Sequence, residues 1–374
     1  MQNNWRLIID KNSYADFSVS VSPAIERAVV EEKVPPTVYL NVFDKDSVTI
    51  GMNEDPEQTL NLEFCKKEGV LFRRRPNGGG PVYAGKGSAF LVYYLPTKHP
   101  RVAGTTAEAF PVVLTALANI LADRYGFAAQ YRPLNDVEVD GRKLIPASLK
   151  IENGVMTFRI IINVTPIDTE LAGRIMPMPP EKVVDKTLKD MSSRYTCLEN
   201  EACCKFDLEE LEGIARCAVY EAFGEGLKIG TISDIETVYG TEFRSEYESD
   251  RWLFAKSERN RLHPILKSGD TLGYGRAKAI GGLIRATIAI RDGKVIHAII
   301  NGDWHPRPLH SVGWLEDALV GVEASTGQLT ACVDEFLAND SVEFAGVEVE
   351  NLMEAIDIAL SNQKNAIRYA DSSS

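Results

Sequence analysis

One segment combines arginine and glycine in a way that suits anion binding. Residues 73–90 have the sequence RRRPNGGGPVYAGKGSAF, in which three arginines are followed closely by three consecutive glycines. Glycines carry no Cβ, so their N–H groups can approach a ligand closely, and successive amides form a concave site for phosphate or carboxylate. The candidate residues are Gly78, Gly79 and Gly80, with Arg74 and Arg75 as a source of positive charge. A flexible glycine turn beside solvated arginines explains the same residues, and the spacing alone leaves both interpretations open.

A second segment, NDVEVDGRKLI, runs from Asn135 to Ile145 and predicts a hairpin. Its Asp140-Gly141 pair tolerates the positive φ angles of a two-residue type I′ turn. That turn predicts three cross-strand pairs: Val139 with Arg142, Glu138 with Lys143, and Val137 with Leu144.

The hairpin also brings charged side chains together. Strand alternation places Asp136, Glu138 and Lys143 on one face, where a carboxylate could hold Mg²⁺ and a lysine could neutralise a phosphate. The alternative is a simple Glu138–Lys143 ion pair, which stabilises an exposed hairpin by less than ~1 kcal/mol. From the residues alone, this second explanation is the one we favour.

These two segments need a sheet to position them. The stretches TVYLNVF and SVTIGM flank the tripeptide Asp44, Lys45, Asp46 and predict a hairpin there. VLFRR and SAFLVYYL predict strands on either side of the glycines. Asn153-Gly154, like Asp140-Gly141, predicts a tight turn, so antiparallel sheet is expected in the first part of the chain.

Helices are expected between the strands. Thr105 and Glu108 fit a capping box before an apolar series, although Pro111 weakens the register of that start. Residues 204–226 have apolar side chains at helical spacing, including Leu211 and Ile214. The first part is therefore predicted to be α+β rather than a doubly wound sheet.

A domain boundary is predicted near residue 247. The polar, acidic sequence TEFRSEYESD precedes new strand and turn patterns. We therefore expect one domain at 1–247 and a smaller α+β domain at 248–374, with a hairpin at Asp292-Gly293 followed by helices. Nothing in the second part clusters like a catalytic set, and none of the five histidines is assigned a catalytic role.

Composition limits the possible functions. The 374 residues carry 41 basic and 53 acidic side chains, a formal net charge of −12, so no global positive field favours nucleic acid or anionic membranes. No apolar run is long enough to span a bilayer, and the N-terminal residues lead us to expect no secretory signal. Six cysteines without CxxC spacing argue against zinc and a disulfide framework. We expect a cytoplasmic protein with reduced thiols.

Taken together and in order, these segments resemble the lipoate-protein ligase family, within the group of biotin and lipoate ligases and octanoyltransferases. RRRPNGGGPVY is similar to the family's RRxSGGGAVY, and NDVEVDGRKLI to its NDxxVxGRKI. WRLIID, SVTIGMNEDPEQTLNLEFCKKEGV and EKVVDKTLKDMSSRYTCL also resemble family stretches. In the second part, RWLFAKS, INGDW and LEDALVGV are similar to the accessory domain of full-length lipoate ligases. The resemblance covers nearly the whole chain.

The resemblance implies a fold and a reaction. It implies a catalytic domain similar to class II synthetases, with a central mixed sheet and flanking helices, followed by the accessory domain. It implies that the carboxylate of lipoate or a related acid attacks the α-phosphate of ATP, with Mg²⁺ as cofactor. The acyl-adenylate then acylates a lysine of a lipoyl-domain acceptor, such as a glycine-cleavage H-like protein, an E2 subunit or a related lipoate-binding protein.

The resemblance also implies roles for particular residues. Lys143 is the expected catalytic cation, because charge builds up on phosphate and carbonyl oxygens during the two steps. Asp136 is the expected Mg²⁺ ligand. The residues expected to bind ATP or the acyl-adenylate are Arg74, Arg75, Asn77, Gly78, Gly79, Gly80, Val82, Tyr83, Asn135 and Asp136.

Several positions depart from the family pattern. Ala84 and Gly85 stand where the family has His and Asp, and Asn77 replaces Ser or Thr. Pro146 removes one amide donor after the GRK motif. Phe158-Arg159 stands where the family often has His. These changes leave the identity of the acyl acid open.

Two other functions fit the same sequence. One is an octanoyl or lipoyl transferase that works without ATP, and enzymes of this kind usually pass the acyl group through a cysteine thiolate beside the acyl site. No cysteine lies between Cys65 and Cys197, which argues against it. The other is a non-catalytic carrier-binding protein, favoured by the missing His-Asp pair and disfavoured by retention of the arginine, the glycines and Lys143.

Overall fold

The computed structural model describes residues 5–133, 135–177 and 194–366. The strands are β1 (Trp5–Asp10), β2 (Thr37–Val42), β3 (Ser47–Ile50), β4 (Leu71–Arg74), β5 (Val82–Ala84), β6 (Ala89–Pro96), β7 (Ala129–Arg132), β8 (Asp136–Val139), β9 (Arg142–Glu152), β10 (Val155–Ile162), β11 (Leu227–Ile229), β12 (Thr271–Ala279), β13 (Gly282–Arg291), β14 (Lys294–Gly302), β15 (Pro306–Arg307), β16 (Glu343–Phe344) and β17 (Lys364–Asn365). The helices in these ranges are α1 (Tyr14–Asp16), α2 (Ser22–Val30), α3 (Pro56–Thr59), α4 (Leu62–Glu68), α5 (Thr106–Tyr125), α6 (Thr169–Ile175), α7 (Leu198–Ala202), α8 (Leu208–Phe223), α9 (Asp234–Tyr247), α10 (Asp250–Leu253), α11 (Glu258–Leu262), α12 (Ser311–Leu319), α13 (Thr326–Leu337) and α14 (Val349–Ser361), with a π-helical turn at Phe17–Val21 between the first two.

The chain divides into two compact units. The first comprises residues 1–48, 64–71 and 83–246, and the second comprises 49–63, 72–82 and 247–374. The last change of unit lies one residue from the predicted boundary at 247/248. Unlike the predicted contiguous domains, two short segments of the N-terminal part group with the C-terminal unit, and one of them holds the glycine run.

An eight-stranded mixed sheet forms the first unit, in the order β11-β1-β2-β6-β10-β9-β8-β7. β1 is parallel to both β11 and β2, and the pairs from β2 through β6, β10, β9 and β8 to β7 are antiparallel. α5 and α8 pack on the sheet and supply Leu114, Leu117, Ile214 and Val219 to one continuous apolar core. This mixed sheet with flanking helices is the predicted α+β architecture.

The turn and cap predictions in this unit are confirmed. Asp140 and Asn153 have φ angles of 49° and 50°, and the glycine after each also has a positive φ angle, as a type I′ turn requires. The side chain of Thr105 accepts a hydrogen bond from the Glu108 amide and caps α5. Pro111 lies inside this helix without ending it. Local sequence chemistry therefore places the hairpins and the helix start correctly.

The predicted hairpin at Asp44, Lys45 and Asp46 is wrong. Both flanking strands exist, as β2 and β3, but they belong to different sheets. β2 already pairs with β1 on one edge and with β6 on the other, so it has no edge left for β3. β3 instead lies between β4 and β5 in a three-stranded sheet.

The second unit is built on the four-stranded antiparallel sheet β14-β13-β12-β17. Its core joins β12, β13 and β14 to α12, α13 and α14. Gly275 lets α14 approach β12 closely, because a Cβ there would lie 1.7 Å from the Ala355 carbonyl oxygen. The Asp292-Gly293 turn has the predicted positive φ angles of 51° and 73°. The helices expected after it include α12 and α13, which contain most of the stretches WLEDALVGV and CVDEFLAND.

Candidate active site

The β8–β9 hairpin carries the predicted catalytic lysine. Val139 pairs with Arg142 and Glu138 with Lys143, as the turn predicts. The third predicted pair is wrong: Val137 lies opposite Ile145 rather than Leu144. A β-bulge in β9 inserts one extra residue at this point and shifts the register beyond it.

The ion pairs of the hairpin differ from the expected Glu138–Lys143 pair. Lys143 Nζ lies 2.7 Å from Asp136 Oδ2, while Glu138 Oε1 lies 2.6 Å from an Arg132 Nη. Strand alternation alone puts Asp136, Glu138 and Lys143 on one face but does not choose between the two carboxylates. The structure therefore brings together Asp136 and Lys143, the two residues proposed to handle Mg²⁺ and phosphate.

Asp136 retains an unused acceptor. Its Oδ1 atom is buried and accepts no hydrogen bond from the described residues, whereas Oδ2 contacts Lys143. An unsatisfied buried carboxylate oxygen costs free energy and is uncommon in folded proteins. A cation, or a water bound to one, would satisfy this oxygen.

A segment that sequence analysis gave no site role holds the Lys143 backbone. The Lys143 amide donates to the Arg194 carbonyl at 2.8 Å, and its carbonyl accepts from the Thr196 amide at 2.9 Å. Arg142 also lies 3.0 Å from Glu201 on α7. The stretch before α7 therefore forms a short parallel β-bridge between Tyr195 and Lys143. This bridge fixes the position of the Lys143 backbone from which the side chain extends. A three-residue bridge has no sequence pattern of its own, so only the tertiary structure identifies it.

Asn135 has a structural task at the start of the hairpin. Its Nδ2 donates to the Ala147 carbonyl at 2.6 Å, and its own carbonyl accepts from the Ala147 amide at 2.9 Å. Pro146, opposite Asp136, offers no N–H at that position. Asn135 therefore holds the middle of β9 in place beside Asp136.

Tyr83, on β5, is hydrogen bonded to the loop after β2. Its hydroxyl donates to Asp46 Oδ1 at 2.7 Å, and the Lys86 amide donates to the same oxygen at 3.0 Å. Burial, followed by the Asp46 contact, raises the pKa of Tyr83, so this phenol stays protonated. Gly85 stands at a position of the missing His-Asp pair, where a Cβ would lie 3.5 Å from the Tyr83 ring. Val82, at the start of β5, is half-buried.

In the second unit, Arg74 is buried among backbone carbonyls. It is 1% exposed, and its guanidinium donates to Leu253 O at 2.7 and 3.0 Å, to Met52 O at 2.6 Å and to Gly51 O at 3.2 Å. Burial lowers the pKa of Arg74 to about 10. These contacts define a structural role, and the ligand-binding role proposed for Arg74 stays a prediction.

Arg75 organises the glycine run from inside. Its Nη2 donates to the carbonyls of Gly78 and Gly80, both at 2.8 Å. In a trans peptide the N–H points opposite to the C=O of the same unit, so the Gly79 N–H points away from Arg75. It donates instead to Trp304 O at 3.4 Å.

The glycines lie against a loop of the second unit that sequence analysis left without a role. A Cβ on Gly78 would lie 3.0 Å from His305 Nδ1, and a Cβ on Gly80 would lie 3.1 Å from Asp303 Cβ. Close approach of this loop is therefore one physical reason for the glycines. The Asn77 carbonyl accepts from the Met52 amide at 2.7 Å, which fixes the residue before them.

Phe158 and Arg159, which stand where the family often has histidine, make structural contacts. Phe158 is fully buried and contacts the Phe110 ring at 5.4 Å between centroids. Arg159 lies 3.4 Å from Glu26, which also pairs with Lys150. This charge cluster fixes α2 on the sheet.

The cysteines that flank the hairpin in sequence are poor nucleophiles. Cys65 and Cys197 are buried, and burial raises the pKa of both thiols. A raised pKa lowers the fraction of reactive thiolate at neutral pH. Cys203, Cys204 and Cys217 are exposed.

Fold, glycine motif and lysine hairpin together define a protein class. A family model described as the lipoyl protein ligase A/B catalytic domain matches residues 17–218, more than half of the chain. The chain belongs to this family of lipoate ligases and octanoyltransferases, and it is an enzyme of that group.

The relatives of this chain include octanoyltransferases and a lipoate-protein ligase. Octanoyltransferase LipM of Geobacillus kaustophilus is 25% identical over 67% of this chain and 98% of its own length. Lipoate-protein ligase LplJ of Bacillus subtilis is 23% identical over 84% of this chain and 89% of its own length. The crystal structure of P. falciparum LipL1 in complex with lipoate superposes with a TM-score of 0.68 at 15% identity, covering 89% of this chain and 94% of that one, and confirms the fold.

Two features are absent from residues 5–133, 135–177 and 194–366. No group of three His, Cys, Asp or Glu side chains there is arranged to hold a metal ion. Nor does that part of the chain contain a helix with both the length and the apolar character needed to cross a bilayer.

Proposed function

We propose that this protein is an ATP-dependent lipoate-protein ligase, which activates lipoate or a related acid as an acyl-adenylate and transfers it to a lysine of a lipoyl domain. The observation that carries the proposal is the Lys143–Asp136 pair, in which the second carboxylate oxygen of Asp136 has no hydrogen-bond partner among the described residues. A transferase that works without ATP needs a thiolate at the acyl site, and the two cysteines flanking the Lys143 hairpin in sequence are buried with raised pKa values. The longer match to LplJ than to LipM also supports a ligase.

Lys143 suits the electrostatic demands of this reaction. Negative charge grows on phosphate oxygens as the adenylate forms and on the carbonyl oxygen as the acceptor lysine attacks. The Lys143 side chain is 31% exposed, so its ammonium can reach a substrate, while Asp136 and the bridge at Tyr195 limit its movement. A cation held in this way stabilises both transition states without reorganising during the reaction.

Asp136 is the residue that would hold Mg²⁺. Mg²⁺ is usually bound by one or two carboxylates together with substrate phosphates, so a single free carboxylate oxygen fits it and a three-residue cage is not required. Oδ1 of Asp136, which has no hydrogen-bond partner in the described part of the chain, is such an oxygen. When bound, the ion would neutralise phosphate charge, and Asp136 would connect it to Lys143.

We also propose that the protein is cytoplasmic and that its partner is a lipoyl domain. The acceptor would present its lysine on a tight turn, and the encounter would be transient, with a small and partly electrostatic interface.

The experiment is a lipoylation assay on the full chain. Protein is incubated with ATP, Mg²⁺, lipoate and a lipoyl domain, and the intact mass of the domain is measured. We expect a mass gain of one lipoyl group that disappears when ATP is omitted. Lys143→Ala should abolish the gain, while Lys98→Ala, which removes a 71% exposed surface lysine, should leave it unchanged.

Two results would contradict the proposal. Undiminished modification by Lys143→Ala would remove the role of this residue. The matches to LipM favour a second candidate, transfer of an octanoyl group between carrier proteins. Robust transfer from an octanoyl carrier protein without ATP would establish that candidate in place of the ligase.

A further inference from the structure

Two adjacent cysteines stand at the end of α7. Cys203 and Cys204 are both exposed, and both are free thiols in the structure. Cys203 occupies the C-cap of the helix in the left-handed conformation, with φ 53°. Glycine or asparagine is usual at such a position, because a larger side chain is strained there.

The cysteine pair directly follows the helix that contacts the Lys143 hairpin. The Thr196 amide, which precedes α7, donates to the Lys143 carbonyl at 2.9 Å. Glu201, two residues before Cys203, lies 3.0 Å from Arg142 and also accepts a hydrogen bond from the Thr196 hydroxyl. The five residues of α7 span only about 7.5 Å along the helix axis. The dithiol is therefore carried by the same small element that holds the catalytic hairpin.

Adjacency determines the chemistry of the pair. Consecutive Cα atoms are about 3.8 Å apart, which is shorter than the roughly 4.4–6.8 Å spanned by ordinary disulfides. A disulfide between Cys203 and Cys204 would be strained and easily reduced, so the dithiol is the favoured resting form. Two thiols held side by side can act in turn on one electrophile.

We propose that Cys203 and Cys204 form a dithiol site that opens the cyclic disulfide of a lipoyl group. The inference rests on the proposed function, which supplies a 1,2-dithiolane as substrate. A five-membered ring holds its C–S–S–C dihedral far below the favoured ±85–100°, so the ring is strained and open to attack by a thiolate. An octanoyl group has no sulfur and cannot react.

The exchange is balanced without an external oxidant. The Cys203 or Cys204 thiol loses its proton and attacks one ring sulfur, the ring S–S bond breaks, and a protein–lipoyl S–S bond forms. The released ring sulfur takes up the proton and becomes a thiol. Attack by the neighbouring cysteine would release the dihydrolipoyl group only by creating the strained internal disulfide, so the mixed disulfide is the product that accumulates. One S–S bond breaks and one S–S bond forms, so capture of the lipoyl group involves no net oxidation or reduction.

The test measures covalent capture by the full chain without ATP or acceptor. Reduced protein is incubated with free lipoate, quenched in acid, and its intact mass is measured without reductant. We expect an adduct of one lipoate that forms at least tenfold less in the double variant Cys203→Ser/Cys204→Ser. Cys217→Ser, which removes another exposed thiol, should keep the adduct, and octanoate should give none.

Phenylarsine oxide tests whether the two thiols act as a unit, because a stable cyclic adduct requires both. We expect one equivalent to bind, and either single variant, Cys203→Ser or Cys204→Ser, to release it readily. Equal lipoate capture at Cys217, or no arsenical binding by the native protein, would overturn the inference. Lys143→Ala should lose lipoylation but keep the lipoate adduct, so failure of the proposed function is distinguishable from failure of the dithiol site.

Discussion

Replacement of Arg74 separates a structural from a ligand-binding role for the arginine-glycine segment. Arg74→Met keeps the aliphatic stem but removes the donors for three buried carbonyls, those of Gly51, Met52 and Leu253. A buried polar group left without its partner costs ~1–3 kcal/mol, so the three together set an upper range of ~3–9 kcal/mol. Because water can enter and the loop can relax, we expect the free energy of unfolding to fall by about 3–5 kcal/mol.

The assay is urea denaturation of the full chain, with ATP affinity measured in parallel. Arg73→Met is the matched control, because its side chain is 24% exposed and its distance to Glu248 is 3.7 Å, so we expect a loss below ~1 kcal/mol. A loss below ~1 kcal/mol for Arg74→Met, combined with weakened ATP binding, would refute the structural role. It would instead support contact between Arg74 and the nucleotide.

Two further predictions concern backbone strain and pH. Gly79 has φ +89°, and a Cβ there would lie 3.0 Å from Arg75 Nη2. Gly79→Ala should therefore lower the midpoint of urea unfolding by more than Gly126→Ala, because Gly126 also has a positive φ but has no atom within 4 Å of its Cβ position. Equal losses would show that the contact with Arg75 adds nothing to the cost. Burial raises the pKa of Asp55 from 3.8 to about 6, so the folded state binds the carboxyl proton more tightly than the unfolded state does. The free energy of unfolding should therefore fall by up to about 3 kcal/mol as pH rises from about 4 to 6. Asp55→Asn should flatten that part of the pH profile measured by denaturation, and an unchanged profile would contradict the assignment.

Much of the secondary structure follows from local sequence. The Asp140-Gly141 turn and the Thr105 cap are predicted correctly because they depend on the backbone preferences of two to four consecutive residues. The same rules fail for the tripeptide at residues 44–46, since strand pairing depends on which edges other strands have already occupied. They fail again at Val137, where a bulge changes the register.

The candidate site was predictable as a set of residue types but not as a set of contacts. The sequence selects Lys143 and the nearby carboxylates of Asp136 and Glu138. In the structure Lys143 forms an ion pair with Asp136, while Glu138 forms one with Arg132. The bridge at Tyr195 lies more than fifty residues from Lys143 in the chain and has no pattern that could have indicated it. The ligand-binding roles of the glycine residues stay predictions.

The amino-acid sequence alone determined the family resemblance, the turns and the positions of the glycine and lysine motifs. These features depend on covalent geometry and on side chains that are neighbours along the chain. Tertiary structure decided that Arg74 is buried against carbonyls and that one Asp136 oxygen has no partner among the described residues. It also decided that Cys203 and Cys204 are exposed while Cys197 is not. Each of these depends on which distant segments remove a group from water, and that is settled only when the whole chain packs.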